Sequence, residues 1–221
     1  MDVEVAVRER RSIRMFRPEP IPEETVGQIL AAARWSPSWG NTQPWHVHVV
    51  TGEPLARFKR ANRENCLKDT PSSSEIPMPE VWPDIMKHRY VDVGRSVLTA
   101  LSIARGDTAA RKKYYGDMFN LFNAPCMILV CLSRDLMIEY AMLDVGLLVQ
   151  TICLVAHGKG IGSCILAASV GYPSVLREIV PIPEGQVIVI GMAMGYPDRD
   201  APINNFERKR AGLDEWVTWV N

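Results

Sequence analysis

What this chain lacks narrows its function before what it contains does. It has no net charge: Lys and Arg together number 25, and so do Asp and Glu. A general nucleic-acid binder carries a basic excess, so the balance argues against that class; a basic cluster in a neutral chain points to a small anionic ligand. It has no CxxC pair. Cys66, Cys126, Cys131, Cys153 and Cys164 stand apart, with no histidine at ligand spacing, which argues against a zinc or other metal site. An odd cysteine count, mostly inside apolar stretches, fits reduced and buried thiols in a cytoplasmic protein. Long apolar runs are missing too. The longest, residues 145–156, is broken by Gln150 and falls short of the roughly 20 residues a helix needs to cross a bilayer. The opening Met1-Asp2-Val3-Glu4-Val5-Ala6-Val7-Arg8 has neither a basic nor an apolar signal region, so no secretory leader and no membrane partner are expected. Finally, Gly158-Lys159-Gly160-Ile161-Gly162-Ser163-Cys164 has neither the G-x-G-x-x-G spacing nor a Gly-Lys-Ser/Thr ending. It is not a phosphate loop of either kind. Its glycines end a helix and let the backbone come close to something flat.

What is present is 221 residues, 47% hydrophobic and 23% charged, enough for one sizeable domain with ordinary globular composition. The densest chemistry is Arg10-Arg11-Ser12-Ile13-Arg14. Guanidiniums are planar, permanently charged and forked, so they grip phosphate oxygens in pairs, and a serine hydroxyl adds a compact donor. Two readings stand on these residues alone: a socket for one phosphate, or basic side chains complementing the end of a helix over residues 2–10.

Asp2 caps that first helix. Pro18, Pro20 and Pro22 enforce an extended passage, and Pro22-Glu23-Glu24 opens a second helix that stops at Ser36-Pro37. Residues 36–45, Ser-Pro-Ser-Trp-Gly-Asn-Thr-Gln-Pro-Trp, form a shaped loop. Its polar side chains and two indoles suit the edge and face of a heteroaromatic ring, or else Asn41 and Gln43 bond only their own turn. Residues 45–51 alternate as a strand. His46 and His48 share one face of it, with no carboxylate or cysteine near them in sequence, and are read as solvent-facing or hydrogen-bonded. Residues 53–68 form an amphipathic helix, and 69–83, rich in proline and serine, a surface insertion or lid. Residues 84–105 and 108–122 read as helices and 125–132 as a buried strand. Residues 139–157 are apolar nearly all round, a helix enclosed on most sides in the core or across a subunit contact, with Asp144 and Gln150 holding a neighbouring loop or helix. A short helix over 173–179, a strand over 186–194 and a basic tail with Trp216 and Trp219 complete the chain. That tail must pack on something, such as another subunit.

Together these residues resemble the FMN-dependent nitroreductase family over essentially the whole chain. The markers are Arg10 to Phe16, then Ser36-Pro37-Ser38 with Asn41, Gln43, Pro44 and Trp45. Next come the helix with Asp144 and Gln150 leading into Gly160-Ile161-Gly162, and Gly191 with Gly195-Tyr196-Pro197 before the basic tail. The middle segment, with His88-Arg89-Tyr90 and Asn123-Ala124-Pro125, is most similar to the branch of nitrobenzoate and nitrobenzene reductases. The resemblance implies an α+β fold, a three-layer α/β/α sandwich around a mostly antiparallel sheet, in an intertwined homodimer with FMN at the interface and residues 196–221 embracing the partner. It implies that Arg10, Arg11 and Ser12 hold the phosphate and ribityl end, that Arg14 reaches the pyrimidine edge, and that Arg208 and Arg210 complete the socket. Pro37, Ser38 and Asn41 would approach the ring from the other subunit. Leu166 and Ala167 would offer backbone N–H to flavin N5, and Trp39 would shape the acceptor pocket. Met118 occupies the place of a ring-bonding asparagine, for which Asn120 would substitute. The implied reaction moves a hydride from NADH or NADPH to a nitroaromatic or quinone acceptor by a ping-pong mechanism with no catalytic side chain, because the cofactor carries the redox step. An ene reduction, a dehalogenation, flavin breakdown or a non-catalytic flavin module are the alternatives.

Overall fold

The computed structural model describes residues 2–220. Asp2 opens the first helix as its carboxylate dictates, accepting from the amides of Glu4 at 2.9 Å and Val5 at 3.3 Å, so that α1 spans Val3–Glu9. The remaining helices are α2 (Glu23–Ala33), α3 (Gly52–Leu67), α4 (Asp84–Ala100), α5 (Thr108–Phe119), α6 (Ile138–Gly158), α7 (Pro173–Ile179) and the single turn α8 (Pro202–Asn205). Four strands, β1 (Trp45–Thr51), β2 (Cys126–Ser133), β3 (Gly162–Leu166) and β4 (Gln186–Gly195), form one sheet in the order β1-β2-β4-β3, antiparallel throughout.

Strand alternation builds the three layers. Cys126, Ile128, Val130 and Leu132 of β2 face α2 and α6, while Met127, Leu129 and Cys131 face α3, α7 and the residues after α5. On β4 the alternation changes step: Val187 and Val189 lie on the α6 side, then Met192 and Met194 do. A register shift between Val130 and Cys131, where β4 carries the extra residue, makes this possible. The fold class is therefore the α/β/α sandwich that the resemblance implies.

Several boundaries differ from the sequence reading, each for a backbone reason. The helix expected over 84–105 ends at Ala100, because Ser102 takes a φ of 55°. The helix expected over 108–122 ends at Phe119, because Leu121, Phe122 and Asn123 are all left-handed, with φ of 54°, 52° and 59°. The glycine-rich segment runs into a strand, β3, that periodicity did not reveal, and at Gly162 the group that comes close is the Ile13 side chain. At 21 residues α6 is long and apolar enough to cross a membrane, yet Ala141, Val145, Leu148 and Ile152 build one side of it into the core. Within one chain only that side is enclosed, which leaves a subunit contact as the expected cover for the other. Met137 just before it and Tyr140, Leu143 and Leu147 along it face outward, with Leu143 64% exposed.

The first half of the 69–83 segment is tied down. Ser73 N and Ser72 Oγ donate to the Gly171 carbonyl, and Tyr172 Oη donates to the Thr70 carbonyl. Glu75 accepts from Arg177 Nε at 2.9 Å and Nη2 at 3.0 Å, from Arg134 Nη2 at 3.2 Å and from the Ile188 amide at 2.8 Å. His48 bonds Gln186 at 3.1 Å while His46 is exposed.

Candidate functional site

The basic stretch after α1 is pulled onto the free edge of the sheet. Ser12 bridges Ser163 of β3 in parallel, the Ile13 amide donates to the Ser163 carbonyl at 2.9 Å, and the buried Ile13 packs against Gly162. Alternation then sends Ile13 inward and Ser12 and Arg14 outward. The C-terminal segment closes over this strand. Asn204, buried after α7 and β4 have turned the chain back, accepts from the Arg14 amide at 2.7 Å and donates to the carbonyls of Met15 and Asp198 at 2.8 Å. Arg11 donates through Nη2 to the Phe206 carbonyl, and the guanidiniums of Arg11 and Arg14 lie 5.7 and 5.8 Å from the Phe206 ring centre. One aromatic ring thus seats two like charges. Arg208 reaches back to the carbonyls of Arg8 and Arg10.

These groups line one cavity of about 890 Å³ that includes Arg10, Arg11, Ser12, Arg14, Arg208 and Arg210. None of its five named arginines pairs with a carboxylate among the described residues. Arg10 Nε is buried with no hydrogen-bond partner among the described residues. Burial first, then the charge of Arg14, depresses the Arg11 guanidinium from its ordinary value; burial, then Arg11, Arg210 and Arg10, does the same to Arg208. Asp92, Glu207 and Glu215 also line the cavity, yet none of them lies within ion-pair distance of these five arginines, so the cluster keeps unpaired positive charge that an external anion can meet. Arg11 and Arg14 are organised around Phe206 rather than around the end of α1, whereas Arg10 is the C-cap residue of that helix and sits where a cation also complements its dipole.

Arg14 also borders a second cavity, of about 480 Å³, lined by Phe16, Tyr114, Asn120 and Phe122 among others. Tyr114 sits beside the Arg14 guanidinium; burial raises its hydroxyl and Arg14 partly offsets this. Asn120 lines this cavity, whereas Met118 packs against the apolar core. At the far end of β3, Leu166 is buried and Ala167 exposed in a short 3-10 turn (Ala167–Ser169).

The loop over residues 36–45 lies elsewhere. The Trp39 amide donates to Asp144 Oδ1 at 3.1 Å, and the Trp39 ring stacks on Tyr140 at 5.2 Å. Asp144 therefore holds a neighbouring loop, as its buried place on an apolar helix suggested, while Gln150 is only half-buried. Pro37, Trp39 and Asn41 are exposed, and Ser38 Oγ accepts from the Gln43 amide at 2.9 Å. None of the four lines the arginine cavity. The tail crosses to α4, where Glu215 pairs with Arg89 at 2.8 Å.

Sequence reasoning missed Asn204, Phe206 and the buried Asn62. Only Asn62 left a local trace: it falls on the apolar stripe of α3 with Leu55 and Phe58, a position where an amide is out of place.

Residues 7–196 match the model of the Nitroreductase family. The chain is 32% identical over 222 residues to the 4-nitrobenzoate reductase of Nocardioides sp. (strain LMS-CY), covering 97% of this chain and 88% of that protein. It is also 32% identical over 221 residues to the chloronitrobenzene nitroreductase of Comamonas testosteroni, covering 97% and 95%. The crystal structure of the FMN-dependent nitroreductase NfnB from Mycobacterium smegmatis in complex with NADPH superposes with a TM-score of 0.92 at 30% identity, covering 99% of this chain and 97% of that one. The unpaired arginine socket on the sheet edge and the match along almost the whole chain agree: this chain belongs to the nitroreductase family.

Proposed function

We propose that this protein is an FMN-dependent oxidoreductase that takes reducing equivalents from NADH or NADPH and passes them to a nitroaromatic or quinone-type acceptor in ping-pong fashion. One observation carries the cofactor assignment: Arg10, Arg11, Arg14 and Arg208 converge on one cavity, and none of them forms an ion pair with a carboxylate among the described residues. FMN supplies the hydride chemistry when bound.

The chain's own groups do the rest. Arg10, Arg11, Ser12, Arg208 and Arg210 hold the phosphate end by charge-assisted hydrogen bonds. Arg14 would bring a permanent cation to the pyrimidine edge, and a cation there would favour the reduced, anionic form of the ring by a few kcal/mol, about what a charge pair contributes at an effective dielectric of about 20. Asn120 borders the same cavity as Arg14, which supports it as the ring-bonding amide. Leu166 ends β3 beyond Ser163, the partner of the arginine strand, and Ala167 opens the turn that follows, which supports them as the amides that face N5.

The working unit is a homodimer. The outward row of Tyr140, Leu143 and Leu147 on α6 and the apolar exposed residues Ile85, Met86, Tyr90 and Val93 of α4 need cover. Pro37, Ser38, Trp39 and Asn41, held away from the arginine cavity of their own chain, are then the groups a second copy supplies to the ring and to the acceptor. Residues 196–221 form the arm that grips the partner, and 69–83 forms a surface insertion anchored at Glu75.

Purified protein is expected to be yellow or to bind added FMN, to bleach anaerobically with NADH or NADPH, and to recover its colour with 4-nitrobenzoate. Protein that takes up no FMN, or holds FMN that neither nucleotide bleaches, contradicts the proposal.

A further inference from the structure

We infer that Ser169 and Asn62 form a clamp that orients the 166–168 turn, setting its carbonyls into the core and its amide N–H groups outward toward the flavin. The inference rests on the FMN reading above, in which the Ala167 amide of this turn is one of those that face N5. Ser169 and Asn62 are both fully buried. Ser169 Oγ donates to the Leu166 carbonyl at 2.5 Å. The Val170 amide donates to the Ala167 carbonyl at 3.0 Å, and Asn62 Nδ2 donates to the Ala168 carbonyl at 3.0 Å. Three successive carbonyls are thus bonded on the protein side. Each trans peptide plane points its N–H opposite to its C=O, so the inward carbonyls of Leu166 and Ala167 aim the amides of Ala167 and Ala168 outward. The first amides of so short a turn have no carbonyl within it to bond, and they remain available to a ligand.

Two further facts show that the clamp is specific. The opposing residue on β4 is Gly191, where a Cβ would meet Ser169 Oγ at 2.3 Å, so the strand has been cleared for that hydroxyl. Asn62 keeps its place although its Oδ1 is buried with no partner among the described residues. An apolar side chain on the same stripe would avoid that penalty but would leave the Ala168 carbonyl unpaired. The same amide also donates to the Phe119 carbonyl at 2.6 Å, fixing the end of α5 just before Asn120. Asn62 therefore ties the N5-facing turn to the element that carries Asn120, and both are positioning residues rather than groups that touch the reacting atoms.

The test uses full-length protein loaded with FMN, with Ser169→Ala as the mild variant and Asn62→Leu as the stronger one. Three quantities are read: the FMN dissociation constant, the visible absorption band of the bound flavin, and the anaerobic bleaching rate at saturating NADPH. Because the phosphate socket is separate, the dissociation constant should stay within about threefold, while bleaching slows about tenfold and the absorption band shifts, as loss of an aligned hydrogen-bond donor implies. Variants that melt at lower temperature but bleach and absorb like the wild type would make the clamp merely structural and overturn the inference alone. Should Asn62→Leu fail to fold, Ser169→Ala decides by the same readouts. A wild-type chain that binds no FMN overturns the functional reading and the clamp together.

Discussion

Ser12 and Ser163 lie side by side as a parallel bridge, with the Ile13 amide bonded to the Ser163 carbonyl at 2.9 Å. That pairing makes the arginine stretch a continuation of the sheet edge. Leu166 is three residues further along β3, about 10 Å away at strand rise. One straight edge therefore carries cations at one end and the 166–168 turn at the other, which suits a ligand with an anionic tail and a polar ring.

The bridge needs a bare backbone at Gly162, where a Cβ would meet Ile13 Cγ1 at 2.7 Å. Gly162→Ala should destabilise the fold by roughly 1–3 kcal/mol, because the strand must move to relieve the overlap. Thermal melting should show the loss and FMN titration a weaker complex. A variant with an unchanged melt and unchanged affinity would mean that the arginine strand is not seated through Ile13.

Leu143 stands 64% exposed in the middle of the outward row on α6. Leu143→Arg should halve the mass measured by light scattering and abolish FMN binding, since the partner's Pro37–Asn41 loop would be lost with the contact. Retention of a two-chain mass with bound FMN would place the subunit contact elsewhere.

Glu75 gathers Arg177, Arg134 and the Ile188 amide on a side chain only 15% exposed. Glu75→Ala strands a partly buried guanidinium and a strand amide, at a cost of about 2–4 kcal/mol. Urea unfolding should register that cost, and proteases should cut within residues 70–76, which they spare in the wild type. Equal stability and equal protection would show that the segment is not anchored there.

Burial pushes the thiols of Cys126 and Cys131 up to about 12. In the unfolded chain a thiol ionises near 8.5, so above that pH the unfolded state has lost protons that the folded state keeps. Stability is therefore undiminished below about pH 8.5 and falls as pH rises toward 12, by up to ~1.4 kcal/mol per pH unit for each thiol. A melting temperature that holds flat from pH 9 to 11 would contradict this. At pH 8 a thiol reagent should label only Cys66 in the native protein, because the other four cysteines are buried, and all five after denaturation.

Much of this fold was legible because local chemistry decides it. Pro173 at the first turn places α7 at Pro173–Ile179, and Asp2 caps α1 where a carboxylate should. The failures are equally physical. Nothing local announces the left-handed run at Leu121, Phe122 and Asn123, which Lys59 braces from a distance by donating to Asn123 Oδ1 and the Ala124 carbonyl. β3 is short, opens on a glycine and makes sense only once β4 lies beside it. In the site, the arginines were visible as a cluster in sequence. Phe206, Asn204 and Ser169 were not, and Asn62 showed only as an amide on an apolar stripe, because each acts through a partner from a distant part of the chain or through a turn whose direction only the folded sheet fixes.

On the proposed function, the unpaired arginines recognise the phosphate of FMN. The most direct measurement compares FMN with riboflavin, its phosphate-free counterpart, by fluorescence titration of the wild type and of Arg208→Ala. FMN should bind the wild type on the order of 100-fold tighter or more, and the substitution should weaken FMN by about 10- to 100-fold while leaving riboflavin nearly unchanged. Equal affinities for FMN and riboflavin in the wild type would contradict the account.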